Sequence, residues 1–122
     1  MALFNINHGS SSDFLTSKQY ALIDQTGGTI GTYTSGTAIT SGASYPHAFI
    51  VNVKGQTGTF SASRSGSGGE MCFCGIKNGV ITTIYKSSSS NSHTVNFSDY
   101  DYLYYTGAAG GDTTTTYTIT ES

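Results

Sequence analysis

The densest concentration of chemically capable side chains is the run Asp99, Tyr100, Asp101, Tyr102, Leu103, Tyr104 and Tyr105. Neighbours two apart on a strand share a face, so an extended run places Tyr100, Tyr102 and Tyr104 on one side. Asp99, Asp101, Leu103 and Tyr105 fall on the other. Tyrosine presents a rigid, amphipathic ring at small entropic cost. Such a ladder can stack on the C–H faces of a sugar while carboxylates accept hydrogen bonds from its hydroxyls. It can equally hold a partner subunit, or form half of a sandwich core with its hydroxyls at the rim. Alternation leaves open which face is inside. Tyr100, Tyr102, Tyr104, Asp99 and Asp101 are the candidate contact residues for a ligand or partner.

Other chemistries find less support. Asp24-Gln25-Thr26-Gly27 resembles the Asp-Thr-Gly of aspartic proteases, but the inserted Gln and the lack of a second copy make it a turn. Ser65-Gly66-Ser67-Gly68-Gly69 lacks the glycine two residues before Ser67 that a hydrolase elbow carries. Of Asp13, Asp24, Glu70, Asp99, Asp101, Asp112 and Glu121, only Asp99 and Asp101 share a strand face, and acidic neighbours at a strand entry are commonplace. The inventory points away from an enzyme and names no cofactor.

Cys72 and Cys74 are two apart, so a strand sets both on one face, where a mutual disulfide is poorly disposed. They read as buried thiols acting as small hydrophobes. Zinc would need more ligands; His47 and His93 could supply them, but no paired C-x-x-C or H-x-x-x-H spacing supports it. Asp99, Asp101 and Asp112 could offer oxygens to calcium, without any loop of the D-x-D-x-D-G kind. No metal site is expected. Asn96-Phe97-Ser98 fits the glycosylation triplet, which carries weight only in a secreted chain.

The elements that must position these residues are short strands punctuated by Gly, Ser, Thr and Asn clusters. Candidate strands lie near 2–7, 19–25, 29–34, 47–54, 57–63, 70–76, 80–86, 94–98, 100–105 and 113–120. Ser12 to Leu22 allows a loop or one short helix leading into a strand. Two hairpins are expected: one where the strand ending at Lys54 reverses through Gly55-Gln56, the other at Lys77-Asn78-Gly79, where Asn-Gly suits a type I′ turn. Phe49, Val51 and Val53 share one face, Phe60 joins from the next strand, and Val80 with Ile84 should complete the interior. Met71-Cys72-Phe73-Cys74 is apolar on both faces and belongs in a covered strand. The Ser87–Ser90 run reads as a loop, and the threonine run at 113–116 continues into a final strand. The fold expected is an all-β antiparallel β-sandwich, jelly-roll-like or immunoglobulin-like. It has about eight to ten short strands and at most one short helix, in a single domain over 1–122.

Composition narrows the partners. About 43% of the chain is Ser, Thr or Gly and 10% is charged, against about 25% charged in an ordinary domain. Lys18, Lys54, Arg64, Lys77 and Lys86 are spread out and the net charge is −2, so there is no basic patch for nucleic acid. The longest apolar run, Ala48-Phe49-Ile50-Val51, is too short for membrane insertion. The hydroxyl-rich surface suits an extracellular setting, yet Met1-Ala2-Leu3-Phe4-Asn5 shows no secretion signal.

With its Met start, Ser/Thr/Gly-rich short strands, Asn-Gly hairpin and low charge, the chain resembles the small β-sandwich proteins of tailed-phage virions: head decoration, head fibre and tail-tip modules. The resemblance implies a non-enzymatic virion structural protein, made in the host cytoplasm and displayed on a particle. Its partners would be copies of itself and other virion proteins, and possible contact with a host-surface glycan follows. Two alternatives stand beside it. One is an extracellular carbohydrate-binding module or lectin using the tyrosine-rich strand; the other is a subunit of a surface layer or filament.

Overall fold

Burial alternates along most strands as a half-covered sheet requires. Gly58–Arg64 is the clearest case, with every second residue buried from Gly58 through Phe60 and Ala62 to Arg64. The structure, a computed structural model, describes residues 15–24, 27–41, 47–65, 70–108 and 114–122. It contains β1 (Gln19–Asp24), β2 (Gly27–Thr32), β3 (Ala38–Thr40), β4 (His47–Asn52), β5 (Gly58–Arg64), β6 (Glu70–Lys77), β7 (Val80–Ser87), β8 (Ser92–Asn96), β9 (Tyr102–Ala108) and β10 (Thr115–Glu121). No helix occurs among the described residues. The candidate strand at 2–7 and the first residues of the suspected helix lie outside them.

Two antiparallel sheets form a sandwich. The larger runs β2-β1-β4-β9-β6-β7 and the smaller β3-β10-β5-β8. Their facing sides bury Phe49, Val51, Met71, Phe73, Leu103 and Tyr105 against Phe60, Ala62, Val95, Tyr117 and Ile119. Rings interlock at the centre. Phe49 stacks on Tyr117 with centroids 4.3 Å apart, and Tyr105 meets Phe73 edge-on at 5.1 Å and Tyr117 edge-on at 5.3 Å. Each such side chain contributes about 1.5–3 kcal/mol by leaving water.

The Asn-Gly hairpin forms as expected. Asn78 and Gly79 have φ of 53° and 79°, the left-handed pair a type I′ turn demands. The other expected hairpin does not form. Gln56 N–H does donate to the Val53 carbonyl and Gly55 has a φ of 80°, but this turn carries the chain from one sheet to the other. β4 pairs with β1 and β9, while β5 pairs with β10 and β8. Val53, wholly buried, plugs the crossing. Val80 is also corrected: at the end of an edge strand it is 64% exposed, whereas Ile84 packs against the core. Ile84 is the extra residue of a bulge, since Phe73 pairs with Tyr85 and Cys74 with Thr83. The short β3 was not foreseen.

Candidate functional site

The tyrosine run splits by parity, as a strand requires. Leu103 and Tyr105 point into the sandwich and are wholly buried. Tyr102 and Tyr104 stand on the opposite, outer face of the larger sheet. That face has its own small apolar cluster of Leu15, Ala21, Ile50, Ile76 and Tyr102, with Tyr104 packed beside it. Leu15 covers it because its backbone is held there: Asn52 Nδ2 donates to the Leu15 carbonyl at 2.7 Å, and the Tyr102 hydroxyl donates to the same oxygen at 3.3 Å. Tyr102 is thus a buried clasp rather than a contact residue.

The remaining candidates disperse. β9 begins only at Tyr102, and Tyr100 leaves the ladder to lay its ring against Gly75 and the main core. Asp101 serves the Asn-Gly hairpin, its carboxylate accepting from Asn78 N–H at 3.0 Å and from Lys77 Nζ at 3.4 Å. Asp99 occupies an exposed turn at a φ of 76°. Of the five, the structure leaves Tyr104 half-exposed on a sheet face; Tyr102 shares that face but is covered.

Strand register assembles new neighbours around Tyr104. Ile50, Tyr104, Cys74 and Thr83 lie side by side across β4, β9, β6 and β7, and Ala48, Thr106, Cys72 and Lys86 form the next row. Beyond the first row toward Leu15 lie Asn52, Tyr102, Ile76 and Ile81, so the clasp covers one end of the face. Tyr104, Thr106, Cys72 and Cys74 are half-buried, and Thr83 and Lys86 are exposed. Lys86 Nζ sits 3.6 Å from the Glu70 carboxylate at the margin. The result is a platform with one aromatic ring, two threonine hydroxyls and a single ion pair. Thr106 was missed because the strand was read as ending at 105; continuing the alternation from Tyr104 would have found it.

The two thiols form part of this floor. Their sulfurs are 3.6 Å apart and not bonded, as the spacing led one to expect, though half-buried rather than buried. Burial first, then the hydrogen bond and charge of Cys72, pushes the Cys74 thiol up to about 11, while Thr83 pulls the other way. Burial, with the two thiols adding, also holds the Tyr104 phenol above its ordinary value. At neutral pH the Cys74 thiol and the Tyr104 phenol are therefore both protonated, neutral groups. Among the described residues no three of His, Cys, Asp and Glu gather as a metal-binding group. His93 instead stacks flat on Tyr85 at 3.4 Å, joining the edge strands of the two sheets.

No family model and no curated protein matches the chain. Similar solved structures exist. GH31 CBM32-2 bound to GalNAc is 12% identical with a TM-score of 0.48, over 65% of this chain and 66% of that one, just under two thirds of its length. The family 32 module from C. perfringens NanJ in complex with galactose is 17% identical with a TM-score of 0.42, over 67% and 77%. A mutant of CBM29-2, from family 29 of the carbohydrate-binding modules, is 14% identical with a TM-score of 0.40, over 84% and 91%. The virion reading is corrected to this extent: these three similar structures are carbohydrate-binding modules.

Proposed function

We propose that the chain is a non-catalytic carbohydrate-binding module that takes a glycan on the open part of the outer face of its larger sheet. The observation that carries this reading is Tyr104, a half-exposed ring on a nearly uncharged face, flanked by Thr83 and Thr106. The ring supplies an apolar surface for a sugar's C–H face, and the hydroxyls, with Lys86 and Glu70 at the margin, offer hydrogen bonds to its hydroxyls. A rigid sheet presents these groups with little ordering cost on binding.

A glycan array followed by calorimetric titration tests the reading, beginning with galactose, N-acetylgalactosamine and mannohexaose. Binding is expected for at least one glycan, with Tyr104→Ala lowering affinity by about tenfold or more, equivalent to about 1.4 kcal/mol. Far-UV circular dichroism should show the variant folded, since Tyr104 borders the clasp cluster without closing it. An array without a hit, or unchanged affinity in a folded Tyr104→Ala, overturns the proposal.

A further inference from the structure

Residues two apart on a strand have Cα atoms roughly 6.6 Å apart, yet the sulfurs of Cys72 and Cys74 have converged to 3.6 Å on one face. That separation is a bite. At a zinc–sulfur distance of about 2.3 Å, two sulfurs 3.6 Å apart subtend about 103° at a shared metal, close to tetrahedral. Both thiols are partly exposed on the outer face. Their strand is held rigidly between β9 and β7. We infer that Cys72 and Cys74 form a two-thiolate chelating site for a thiophilic divalent cation of the zinc and cadmium class.

The two sulfurs would supply half of a tetrahedral shell, with water completing it. Binding strips waters from the hydrated cation until two remain, forms two metal–sulfur bonds and releases two protons, because both thiols must ionise. Thr83 and Tyr104 border the pair and are not needed as ligands.

Titration of the reduced chain with cadmium chloride tests this through the ultraviolet thiolate-to-cadmium charge-transfer band. The band should saturate at one cadmium per chain, release close to two protons, and give way on addition of excess EDTA. Cys72→Ser and Cys74→Ser should each weaken binding at least about tenfold. Should either variant misfold, iodoacetamide treatment of the wild-type chain is to abolish the band instead. No band at stoichiometric metal, one cadmium per two chains, or an undiminished band in a folded Cys72→Ser overturns the site. The glycan assay contains no metal, so either proposal can fail while the other stands.

Discussion

Tyr100 and Gly75 show how one residue's absence of a side chain sets another's role. A β-carbon built at Gly75 would overlap the Tyr100 ring, which lies against it and packs on the main core. Gly75→Ala must therefore displace a ring from a filled space, an overpacking cost of about 1–3 kcal/mol. In a Tyr100→Ala background the same substitution meets no ring and should cost less than about half as much. Urea denaturation of the four proteins measures this as a double-mutant cycle, and equal costs in both backgrounds would refute the contact. Parity groups Tyr100 with Tyr102 and Tyr104 because alternation alone cannot show where a strand starts. The start is fixed by Asp99, a non-glycine residue at positive φ, in a turn where Tyr100 N–H donates to the Phe97 carbonyl. Parity did correctly separate Tyr102 and Tyr104 from Leu103 and Tyr105. It could not tell that Leu15, far away in sequence, would cover Tyr102 and leave Tyr104 half-open.

Elements were legible where their chemistry is local. The β6–β7 hairpin follows from Asn78-Gly79, whose dihedral preferences need no distant partner. The turn at Gly55-Gln56 has the same local look, yet β5 goes to the other sheet, because pairing is decided by β10 and β8 from remote stretches of the chain. Alternation found the buried faces of β4 and β5 but placed Val80 inside, since an edge-strand end has no opposing layer to cover it. Even the local hairpin has one long-range support, the Asp101 carboxylate on Asn78 N–H. Asp101→Ala removes a charge-assisted hydrogen bond and should lower stability by about 1–2 kcal/mol. It should leave glycan affinity per folded molecule unchanged, because Asp101 serves the turn and not the platform. Chemical denaturation and titration of the same variant separate the two roles; lost affinity in a folded protein would return Asp101 to the contact set.

At the scale of the whole molecule, the two sheets are tied across one flank by a charged cluster. Glu121, at the end of β10, is 3.0 Å from Lys18 Nζ and accepts from the Tyr33 hydroxyl at 2.8 Å. Lys18 and Tyr33 adjoin β1 and β2, so the cluster links the smaller sheet to the larger. The Lys18 hydrogen bond first, then that of Tyr33, holds the Glu121 carboxyl below its ordinary value of 4.5. A group whose pKa is lowered on folding contributes stability above its unfolded value and loses it as pH falls through the folded one. That contribution is accordingly present at pH 5 and above and declines below about 4.5. Tyr33 has the opposite sign. Burial first, then Glu121, raises its phenol, so its contribution holds below about pH 10 and is lost only as pH rises through the higher folded value. The cluster is partly exposed, with Lys18 at 40% and Glu121 at 24% of side-chain area, so solvent screens it and its effect is modest. Thermal melts of wild type and Glu121→Gln from pH 7 to pH 3 should converge as the acid limb is entered, wild type being the more stable at pH 7. Added salt should narrow the neutral-pH gap by screening the Lys18 pair. Parallel melting curves at every pH would show that Glu121 carries no share of the acid limb, and that the sandwich is held at this flank by packing alone.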